Sequence, residues 1–557
     1  MNLVNNNLLR RRQWEYVVPI LAFTSLIISC IISSSKKYFW NDELYSYYFL
    51  ADKSFTHMWV AFHDKINNTP PLYFLLGWVW ARVFSPTELS LRLFSCLGIC
   101  IACLIVWITL RRTYNFGSTC IGVLSVFCTS SIILSQNTEA RMYGLFIGVC
   151  ALGLFQYDLL NRISKPTNWR LFSNTFVHAA IVNTHLLGLF YSLAITFSLI
   201  FRDIYFKVFR PKVYLSSVLG WLFLAPYIPS FINQSDVGKP RTWIPIPTLR
   251  DLIDVLSLSL LSFEKITVLS IIKLTLVLLI VVISGLQVFL QKSDNSSQSQ
   301  SIYRNNDNIR DEIALLIFAY AFLLVPVLVW IISVTVKPIF WDRYLIPSVL
   351  SLSILLALIS SRIINYVLKK NNFSQQNNYL FRAKQINFFI LVLIAILLLQ
   401  PIIYAKKLQK WQIPGTNDNK YGYETLPIVL QLSHDFLVRF HYSTERFRYF
   451  FILDWQAAIN DASGLFPPQE YKHLEAIKRN YPNVFDNNII KSEEFFKMYK
   501  RFLVLDDKDY TRKCNLEKKF ENLHCSQWLE MRIMNNPHYK VTVLGEIENR
   551  KLLLVES

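Results

Sequence analysis

Two adjacent carboxylates, Asp42 and Glu43, stand out in the segment KYFWNDELYSYYFL. They follow the first long apolar run of the chain, and Trp40 and Tyr45 flank them. A carboxylate held beside aromatic rings is partly shielded from water, which suits a general base. The alternative is that the pair simply ends a helix in water, and composition alone leaves both interpretations open.

Long apolar segments must position this pair. The chain has 557 residues, of which 53% are hydrophobic and only 17% are charged. The mean hydropathy is +0.31, which is too apolar for a soluble enzyme of this size. Over the first 405 positions, windows of about 20 nearly uncharged residues recur, the length with which a helix crosses about 30 Å of hydrocarbon. We predict eleven spans, at residues 17–35, 90–110, 118–135, 140–160, 171–184, 187–201, 213–231, 266–290, 313–336, 345–364 and 386–404.

The basic residues indicate how these spans are oriented. The net charge is +19, but Lys and Arg lie in the short loops between spans and form no single basic face. Nucleic acid is therefore not an expected partner. The positive-inside rule places these loops in the cytoplasm, and the first span reads as an uncleaved anchor with a cytoplasmic N-terminus. An odd number of spans then puts the C-terminal tail outside a plasma (inner) membrane that the chain crosses many times.

Two stretches of the apolar region do not fit a simple span. Residues 71–84 are apolar but too short to cross, so we expect a helix in the outer membrane interface, where Trp78 and Trp80 suit the headgroup layer. Residues 171–201 could form one long helix or two short ones.

The last quarter of the chain has the composition of a soluble domain. Strand-like runs occur at residues 448–453, 501–505 and 540–544, with helical segments between them. We therefore predict a mainly α, polytopic helical bundle at residues 1–404 and a small extracytoplasmic α/β domain at residues 405–557.

The nine cysteines divide between these two parts. Seven fall in or beside apolar spans, where a free Cys behaves as a small hydrophobe: Cys30, Cys96, Cys100, Cys103, Cys120, Cys128 and Cys150. Cys514 and Cys525 lie in the tail, with ten residues between them. Because the tail is expected in an oxidising compartment, we predict a disulfide between these two.

Three short motifs carry a resemblance to a known family. WNDELYS, HDKINNTPPLYFLL and LSLRLFS, in this order and spacing, resemble the opening of the protein O-mannosyltransferase family, glycosyltransferase family 39. That family has bacterial relatives that load aminoarabinose or galacturonic acid onto lipid A. The resemblance is strong over residues 38–145, and in span number and topology it extends to about residue 404.

The resemblance implies a GT-C fold and a glycosyltransferase activity. The enzyme would move a hexose or pentose, with inversion, from a polyprenyl-phosphate carrier to an extracytoplasmic lipid, glycan or protein. In this family the Asp of the first outer loop is the catalytic base, which corresponds to Asp42, with Glu43 as the weaker candidate. The polyprenyl phosphate leaves without a proton, whereas the acceptor hydroxyl or amine must lose one.

Such a reaction needs cations for the phosphate, whose negative charge grows as the sugar departs. Four positions at the outer ends of spans qualify as substrate contacts: Arg92, Arg141, His185, and Arg343 with Tyr344. For each of them the alternative is a side chain that snorkels toward the membrane interface.

One acidic residue and one departure from the family pattern complete the candidate site. Glu139 occupies the second outer loop, where relatives carry an acidic residue that positions the acceptor or a metal, and a salt bridge to Arg141 is the alternative. The sequence has no dense acidic cluster, so we predict no cofactor and leave a divalent metal ion open. Many bacterial relatives have His directly before the two prolines, where this chain has Thr69.

A transporter or flippase of lipid-linked sugars is the alternative function. It too would need many spans and a cavity. A transporter is expected to show repeated halves and helices broken at the midplane of the membrane. The sequence shows no internal repeat, and the candidate charges lie at the outer ends of the spans.

Overall fold

Helices form the described part of the first three quarters of the chain. The computed structural model describes residues 14–238, 244–258, 302–369, 376–460, 468–507, 526–548 and 550–557, together with Leu279 and Val282. Its first sixteen helices are α1 Val17–Ser34, α2 Asn41–Ala51, α3 Phe55–Phe62, α4 Leu72–Phe84, α5 Glu88–Arg111, α6 Phe116–Phe127, α7 Ser131–Gln136, α8 Tyr143–Asn161, α9 Asn168–Val182, α10 Gly188–Tyr205, α11 Pro211–Leu222, α12 Ile228–Ser235, α13 Leu249–Leu258, α14 Ile302–Thr335, α15 Val349–Lys369 and α16 Gln376–Lys407.

Within the described residues, eight helical stretches are long and apolar enough to cross a membrane. They are Val17–Ser34, Glu88–Arg111, Tyr143–Asn161, Gly188–Tyr205, Pro211–Ser235, Ile309–Thr335, Asp342–Val367 and Gln385–Lys407. Each coincides with one of the eleven predicted spans, so the prediction of a multi-pass membrane protein is confirmed. The predicted span at residues 266–290 falls outside the described residues, apart from Leu279 and Val282.

The other two predicted spans are not among these eight stretches. The segment at residues 118–135 is broken into α6 and the six-residue α7. Ser130 is the N-cap of α7 and has an extended backbone, with φ −64° and ψ 125°. Thr129 lies between the two helices, and its hydroxyl donates to the carbonyl of Ser125 in the last turn of α6, a local bond that competes with the helical pattern. At residues 171–201 the chain forms two helices, and the first, α9, has only 15 residues.

Helices α5 and α8 cross at small residues. A Cβ atom on Gly144 would lie 1.9 Å from the carbonyl oxygen of Ser95, and one on Gly98 would lie 2.3 Å from the backbone of Gly144. Only glycine permits backbones to approach so closely, as at many contacts between membrane helices. The Ser95 hydroxyl also donates to the carbonyl of Arg141 at 2.7 Å, so this crossing positions the start of α8.

Basic residues that we predicted to be cytoplasmic gather at one end of the bundle. Arg202 and Arg210 donate to the buried carboxylate of Asp203 at 2.5 and 2.8 Å. At the end of α5, Arg111 pairs with Glu15 at 2.8 Å.

The tail forms a six-stranded mixed sheet with helices around it. Strand order is β3-β2-β1-β4-β6-β5, in which β1 to β4 pair in parallel and β6 pairs antiparallel with β4 and β5. The strands are β1 Ile428–Leu430, β2 Tyr449–Leu453, β3 Ile489–Lys491, β4 Arg501–Asp507, β5 Lys540–Ile547 and β6 Arg550–Glu556. The helices are α17 Ser433–Tyr442, α18 Trp455–Asn460, α19 Pro468–Asn480, α20 Pro482–Phe485, α21 Ser492–Met498 and α22 Gln527–Leu529. The three strand-like runs predicted from the sequence match β2, β4 and β5.

Lys36 ties the start of the tail to the first helix. Its ammonium group, just beyond the end of α1, donates to the carbonyls of Ala405, Lys406 and Leu408 at 3.0, 2.7 and 2.8 Å. These carbonyls lie at the end of α16, where a cation also interacts favourably with the helix dipole. Helices α1 and α16 therefore end on the same face of the bundle. The domain boundary between residues 404 and 405 stays a prediction.

The seven cysteines of the bundle are free and buried. This agrees with their interpretation as small hydrophobic residues. Cys514 and Cys525 lie outside the described residues, so their disulfide stays a prediction.

Candidate active site

A polar cavity of about 820 Å³, which we call the chamber, lies between the bundle and the tail. On the bundle side it is lined by Asp42, Arg141, Arg343 and Tyr344 among others. The tail contributes Trp411, Gln412, Pro414, His434, Asp435, Val438, Gln469, Glu470, His473, Glu548 and Arg550. The two parts of the chain therefore build one site together.

Asp42 lies in the first turn of α2 and faces the chamber. Its Oδ2 accepts a hydrogen bond from Nη2 of Arg343 at 2.9 Å. The side chain is 25% exposed, so part of the carboxylate is open to a molecule in the chamber. The next residue in the sequence, Glu43, has quite different surroundings.

Glu43 is buried, with 1% of its side chain exposed. It accepts from Nε and Nη2 of Arg92 at 2.9 and 2.8 Å, from the backbone N–H of Ala140 at 2.7 Å and from that of Trp40 at 3.2 Å. These four hydrogen bonds use the carboxylate fully, and Glu43 does not line the chamber. The geometry therefore does not support Glu43 as an alternative base.

Arg92, at the beginning of α5, is fully buried. Besides Glu43, its guanidinium donates to the carbonyls of Lys37 and Tyr38, each at 2.8 Å, and to that of Ser34 at 3.4 Å. It thus holds the connection between α1 and α2 and lines neither cavity of the site. This is contrary to the expectation that Arg92 contacts a phosphate.

Arg141 and Arg343 enclose Asp42 from two sides. Arg141 donates from Nη1 to the carbonyl of Asp42 and to the hydroxyl of Ser46, both at 3.0 Å. Its Nε is buried without a hydrogen-bond partner in the described part of the chain. Arg343 lies over the rings of Trp40 and Tyr143, with its guanidinium carbon 5.0 and 5.7 Å from the ring centroids. Both cations are thus fixed in place at the wall of the chamber, and their role as contacts for an anion stays a prediction.

A second, largely apolar cavity of about 440 Å³, which we call the groove, adjoins the chamber. Its apolar lining comes from Val182, Leu186, Leu187, Leu189, Phe190, Leu224, Tyr227, Ile228, Phe231, Ile244 and Ile339. Lys337 also lines it. Asn68, Arg141, Tyr344 and Gln469 line both cavities, so a single molecule with a polar head and an apolar tail could occupy the two.

His185 lines the groove and is buried. Burial lowers the pKa of His185 to about 3, and the nearby charges of Arg141 and Arg343 act in the same direction. The imidazole is therefore neutral, and it is not the cation that the sequence suggested. Its Nδ1 accepts from the backbone N–H of Leu187 at 3.1 Å, which leaves Nε2 as the protonated, donating nitrogen.

Glu139 lies in the connection between α7 and α8 and lines neither cavity. Burial raises the pKa of Glu139 to about 7, and the carboxylates of Glu43 and Asp42 add to the effect while Arg343 and Lys37 oppose it. Its Oε2 is buried without a hydrogen-bond partner among the residues described. Glu139 is thus a carboxyl group that changes its charge near neutral pH, close to Asp42.

The structure describes no group of three or more His, Cys, Asp or Glu residues in positions that could hold a metal ion. Asp42 has Arg343 as its charged partner, and Glu43 has Arg92.

Two solved structures of ArnT from Cupriavidus metallidurans are similar to this chain over nearly the whole length of both. The structure in the apo state has a TM-score of 0.53 at 11% sequence identity, and the match covers 98% of each chain. The chain has the ArnT fold. ArnT bound to undecaprenyl phosphate gives a TM-score of 0.50, again at 11% identity, over 97% of this chain and 98% of that chain. The GT-C fold predicted from the motifs is therefore confirmed.

Other comparisons are weaker. An oligosaccharyltransferase from Archaeoglobus fulgidus, tethered with an acceptor peptide, has a TM-score of 0.47 at 10% identity, over 89% of this chain and 69% of that chain. No protein-family model matches the sequence, and no curated protein matches it in sequence.

Within the ArnT fold, the predicted site residues fall into three groups. Asp42, Arg141, Arg343 and Tyr344 meet at the chamber, Arg141, His185 and Tyr344 line the groove, and Glu43, Arg92 and Glu139 line neither. The sequence analysis missed the tail residues of the chamber, because no local pattern links them to the motifs of the bundle. It also missed Asn67 and Asn68, although both belong to the second motif.

Proposed function

We propose that the protein is a membrane glycosyltransferase that moves a sugar from a polyprenyl-phosphate carrier to an extracytoplasmic acceptor, with Asp42 as the base. The observation that supports this best is the junction of the polar chamber with the apolar groove at Arg141 and Tyr344. The parts of a polyprenyl-phosphate sugar match these cavities in order: the isoprenoid chain is apolar like the groove, the phosphate is an anion that suits the cation at the junction, and the sugar is polar like the chamber.

In the proposed complex, the isoprenoid chain occupies the groove and the phosphate lies at the junction. Arg141 is the cation that both cavities share, and Lys337 contributes a further positive charge to the groove. The sugar then extends into the chamber, where Trp40, Tyr38 and Trp411 offer aromatic faces. This arrangement brings the anomeric carbon near the carboxylate of Asp42.

The proposed step is a single displacement with inversion. The acceptor oxygen or nitrogen forms a bond to the anomeric carbon, and the bond from that carbon to the phosphate oxygen breaks. The electron pair of the broken bond stays on the phosphate, while the proton of the acceptor moves to Asp42. Arg343 and Arg141 stabilise the phosphate as its negative charge grows. Glu43 and Arg92 act as positioning residues, because their ion pair holds the backbone on both sides of Asp42.

The test uses the full chain in lipid nanodiscs. The protein is incubated with undecaprenyl-phosphate hexoses and pentoses and with a membrane extract as the source of acceptors, and release of undecaprenyl phosphate is followed by mass spectrometry. We expect the wild type to release the carrier from at least one donor. Asp42→Asn should reduce the rate by about 10²-fold to 10⁴-fold, the usual effect of removing a general base.

Asp254→Asn is the matched control, since Asp254 lies in α13 with 41% of its side chain exposed. It should retain the wild-type rate. Near-normal turnover by Asp42→Asn would remove the assignment of the base. Movement of an uncleaved donor across proteoliposomes, without release of the carrier, would show a flippase instead.

A further inference from the structure

Helix α19 brings three side chains of the tail into the chamber. Gln469, Glu470 and His473 all line it, and their spacing puts them on one face of the helix within about one turn. On the other side of the chamber lie Asp42 and Arg141. The mechanism proposed above makes no use of the α19 face.

Ion pairs fix α19 against the bundle. Arg479 donates to the carboxylate of Asp64 at 2.8 and 2.9 Å. Lys472 lies 3.0 Å from Asp236, which also binds Lys65 at 2.7 Å. The α19 face is therefore held in one position relative to the residues of the bundle, as a recognition surface must be.

Glu470 differs from the other carboxylates of the chamber. Asp42 pairs with Arg343, Asp435 with Arg550 and Glu548 with Arg439, at 2.9, 3.0 and 2.7 Å. Glu470 accepts from the backbone N–H of Ser433 at 3.0 Å and forms no ion pair with any residue that the structure describes. Burial raises the pKa of Glu470; the charge of His434 and the hydrogen bonds with Ser433 oppose this rise, and the charge of Asp42 adds to it. A carboxyl group of this kind can both accept and donate hydrogen bonds.

His473 is a neutral partner on the same face. Its Nδ1 lies 2.5 Å from the carbonyl oxygen of Lys65, so Nδ1 carries the proton, and the lone pair of Nε2 faces the side-chain amide nitrogen of Gln469 at 3.4 Å. Burial lowers the pKa of His473 to about 4. The ring packs against Tyr45, with centroids 5.4 Å apart, and the Tyr45 hydroxyl is buried without a partner among the described residues. The α19 face thus offers hydrogen bonds without a fixed positive charge.

Gln469 determines which part of a ligand would meet this face. It lines both the chamber and the groove, so α19 begins at the junction and continues into the chamber. A group attached to a phosphate at the junction would lie directly against Glu470 and His473. Building on the proposed function, we infer that Gln469, Glu470 and His473 form the subsite for the transferred sugar and bind the hydroxyl groups of a neutral hexose.

The experiment compares ligands with and without the sugar. Dissociation constants are measured by native mass spectrometry for the full chain in nanodiscs, with undecaprenyl phosphate and with its mannosyl, glucosyl and galactosyl derivatives. We expect the wild type to bind at least one hexosyl derivative more tightly than undecaprenyl phosphate. Glu470→Ala and His473→Ala should each weaken that binding by about tenfold, the loss expected for one hydrogen bond to a buried group, and leave undecaprenyl phosphate unaffected.

Glu475→Gln is the matched control on the same helix. Glu475 accepts from the indole N–H of Trp455 at 2.6 Å and does not line the chamber. This variant should bind all four lipids as the wild type does.

Three results would overturn the inference. One is an equal loss of the sugar-free carrier and the hexosyl derivative in Glu470→Ala and His473→Ala, which would indicate a disturbed fold. Another is unchanged binding in both variants. The third comes from adding a fifth lipid with an ammonium-bearing sugar and the variant Glu470→Gln to the series: a preference of the wild type for this lipid that Glu470→Gln abolishes would show that the subsite recognises a charge. If the wild type binds undecaprenyl phosphate no better than undecaprenol, the proposed function itself fails.

Discussion

At the scale of single residues, two neighbouring carboxylates have opposite surroundings. Asp42 is open to the chamber, whereas Glu43 is enclosed by a buried guanidinium and two backbone N–H groups. The difference follows from the helix: successive residues of α2 point about 100° apart, so one faces the cavity and the next faces the bundle. Substitution of Asp42 should therefore lower the rate of transfer, whereas substitution of Glu43 should lower the stability of the fold.

Glu43→Gln should destabilise the protein. The substitution keeps the shape but leaves the fully buried Arg92 without a countercharge, which costs on the order of 3 kcal/mol. Unfolding in SDS, followed by circular dichroism, measures the loss. The control is Glu15→Gln, which breaks the pair with Arg111, where 22% and 30% of the two side chains are exposed, and should cost less than about 1 kcal/mol. Equal effects of the two substitutions would contradict the positioning role of Glu43.

Glu139 should make stability depend on pH. Its pKa rises from 4.5 to about 7 on folding, so between these values the folded protein holds a proton that the unfolded chain has lost. Stability contributed by this group therefore falls as pH rises from about 4.5 to 7 and is constant above that. Glu139→Gln removes the dependence. The difference in melting temperature between wild type and variant should change across this window, and parallel curves would contradict the prediction.

The residues that the sequence identified and those it missed differ for a physical reason. Asp42 and Arg343 lie in short motifs at the ends of apolar spans, where polarity and position are both visible in the sequence. Whether such a residue faces the cavity or a buried partner depends on packing, so Arg92 could not be told from Arg141. Glu470 lies 428 residues from Asp42, in a segment without a motif, and only the folded chain brings the two together.

At the scale of elements, the crossing of α5 and α8 connects packing to the site. Gly144 lies three residues after Arg141, at the start of α8. Gly98 lies about one helical turn after Phe94 and Ser95 in α5. The close backbone contact between them fixes where α8 begins. It thereby fixes Arg141 against the carbonyl of Asp42.

Gly144→Ala should therefore disturb both stability and the site. The new Cβ would lie 1.9 Å from the Ser95 carbonyl oxygen, and backbone atoms cannot move aside as a side chain can. We expect a loss of about 1 to 3 kcal/mol. In Gly117→Ala the Cβ meets only the terminal Cδ1 of Ile390, at 2.7 Å, so the cost should be under about 1 kcal/mol. Equal stability of the two variants would show that the crossing can relax.

The element boundaries that the sequence predicted well are those of long apolar helices. Length and hydropathy alone are sufficient for α5 or α8, because a span must hold about 20 apolar residues. The same signal failed at residues 118–135, where α6 ends at Phe127 and α7 begins at Ser131 although the apolar run continues. In the tail, β2 and β4 were recognised from runs of apolar and aromatic residues, whereas β1 and β3 are apolar but only three residues long, shorter than the runs that indicate a strand.

At the scale of the whole molecule, α5 is long enough to cross a membrane, so its two ends lie at opposite ends of the bundle. Its 24 residues span about 36 Å. At its start Glu88 contacts Tyr442 of the tail, and at its end Arg111 pairs with Glu15. The chamber and the tail are therefore at one end of the bundle, and the basic loops are at the other.

This separation predicts the side on which the tail lies. Helices α1 and α16 end beside each other at Lys36, so the chain crosses the membrane an odd number of times between its N-terminal segment and the tail, whatever the number of spans among the residues not described. Because basic loops stay in the cytoplasm, the tail and the chamber should be extracytoplasmic.

The test replaces Cys514 and Cys525 by Ser and adds one exposed cysteine, either Lys497→Cys in α21 or Lys165→Cys between α8 and α9. In intact cells a membrane-impermeant maleimide should label Lys497→Cys at once and Lys165→Cys only after permeabilisation. The seven remaining cysteines are buried and should react with neither treatment. The reverse labelling would place the chamber in the cytoplasm, and it would require a donor presented from that side.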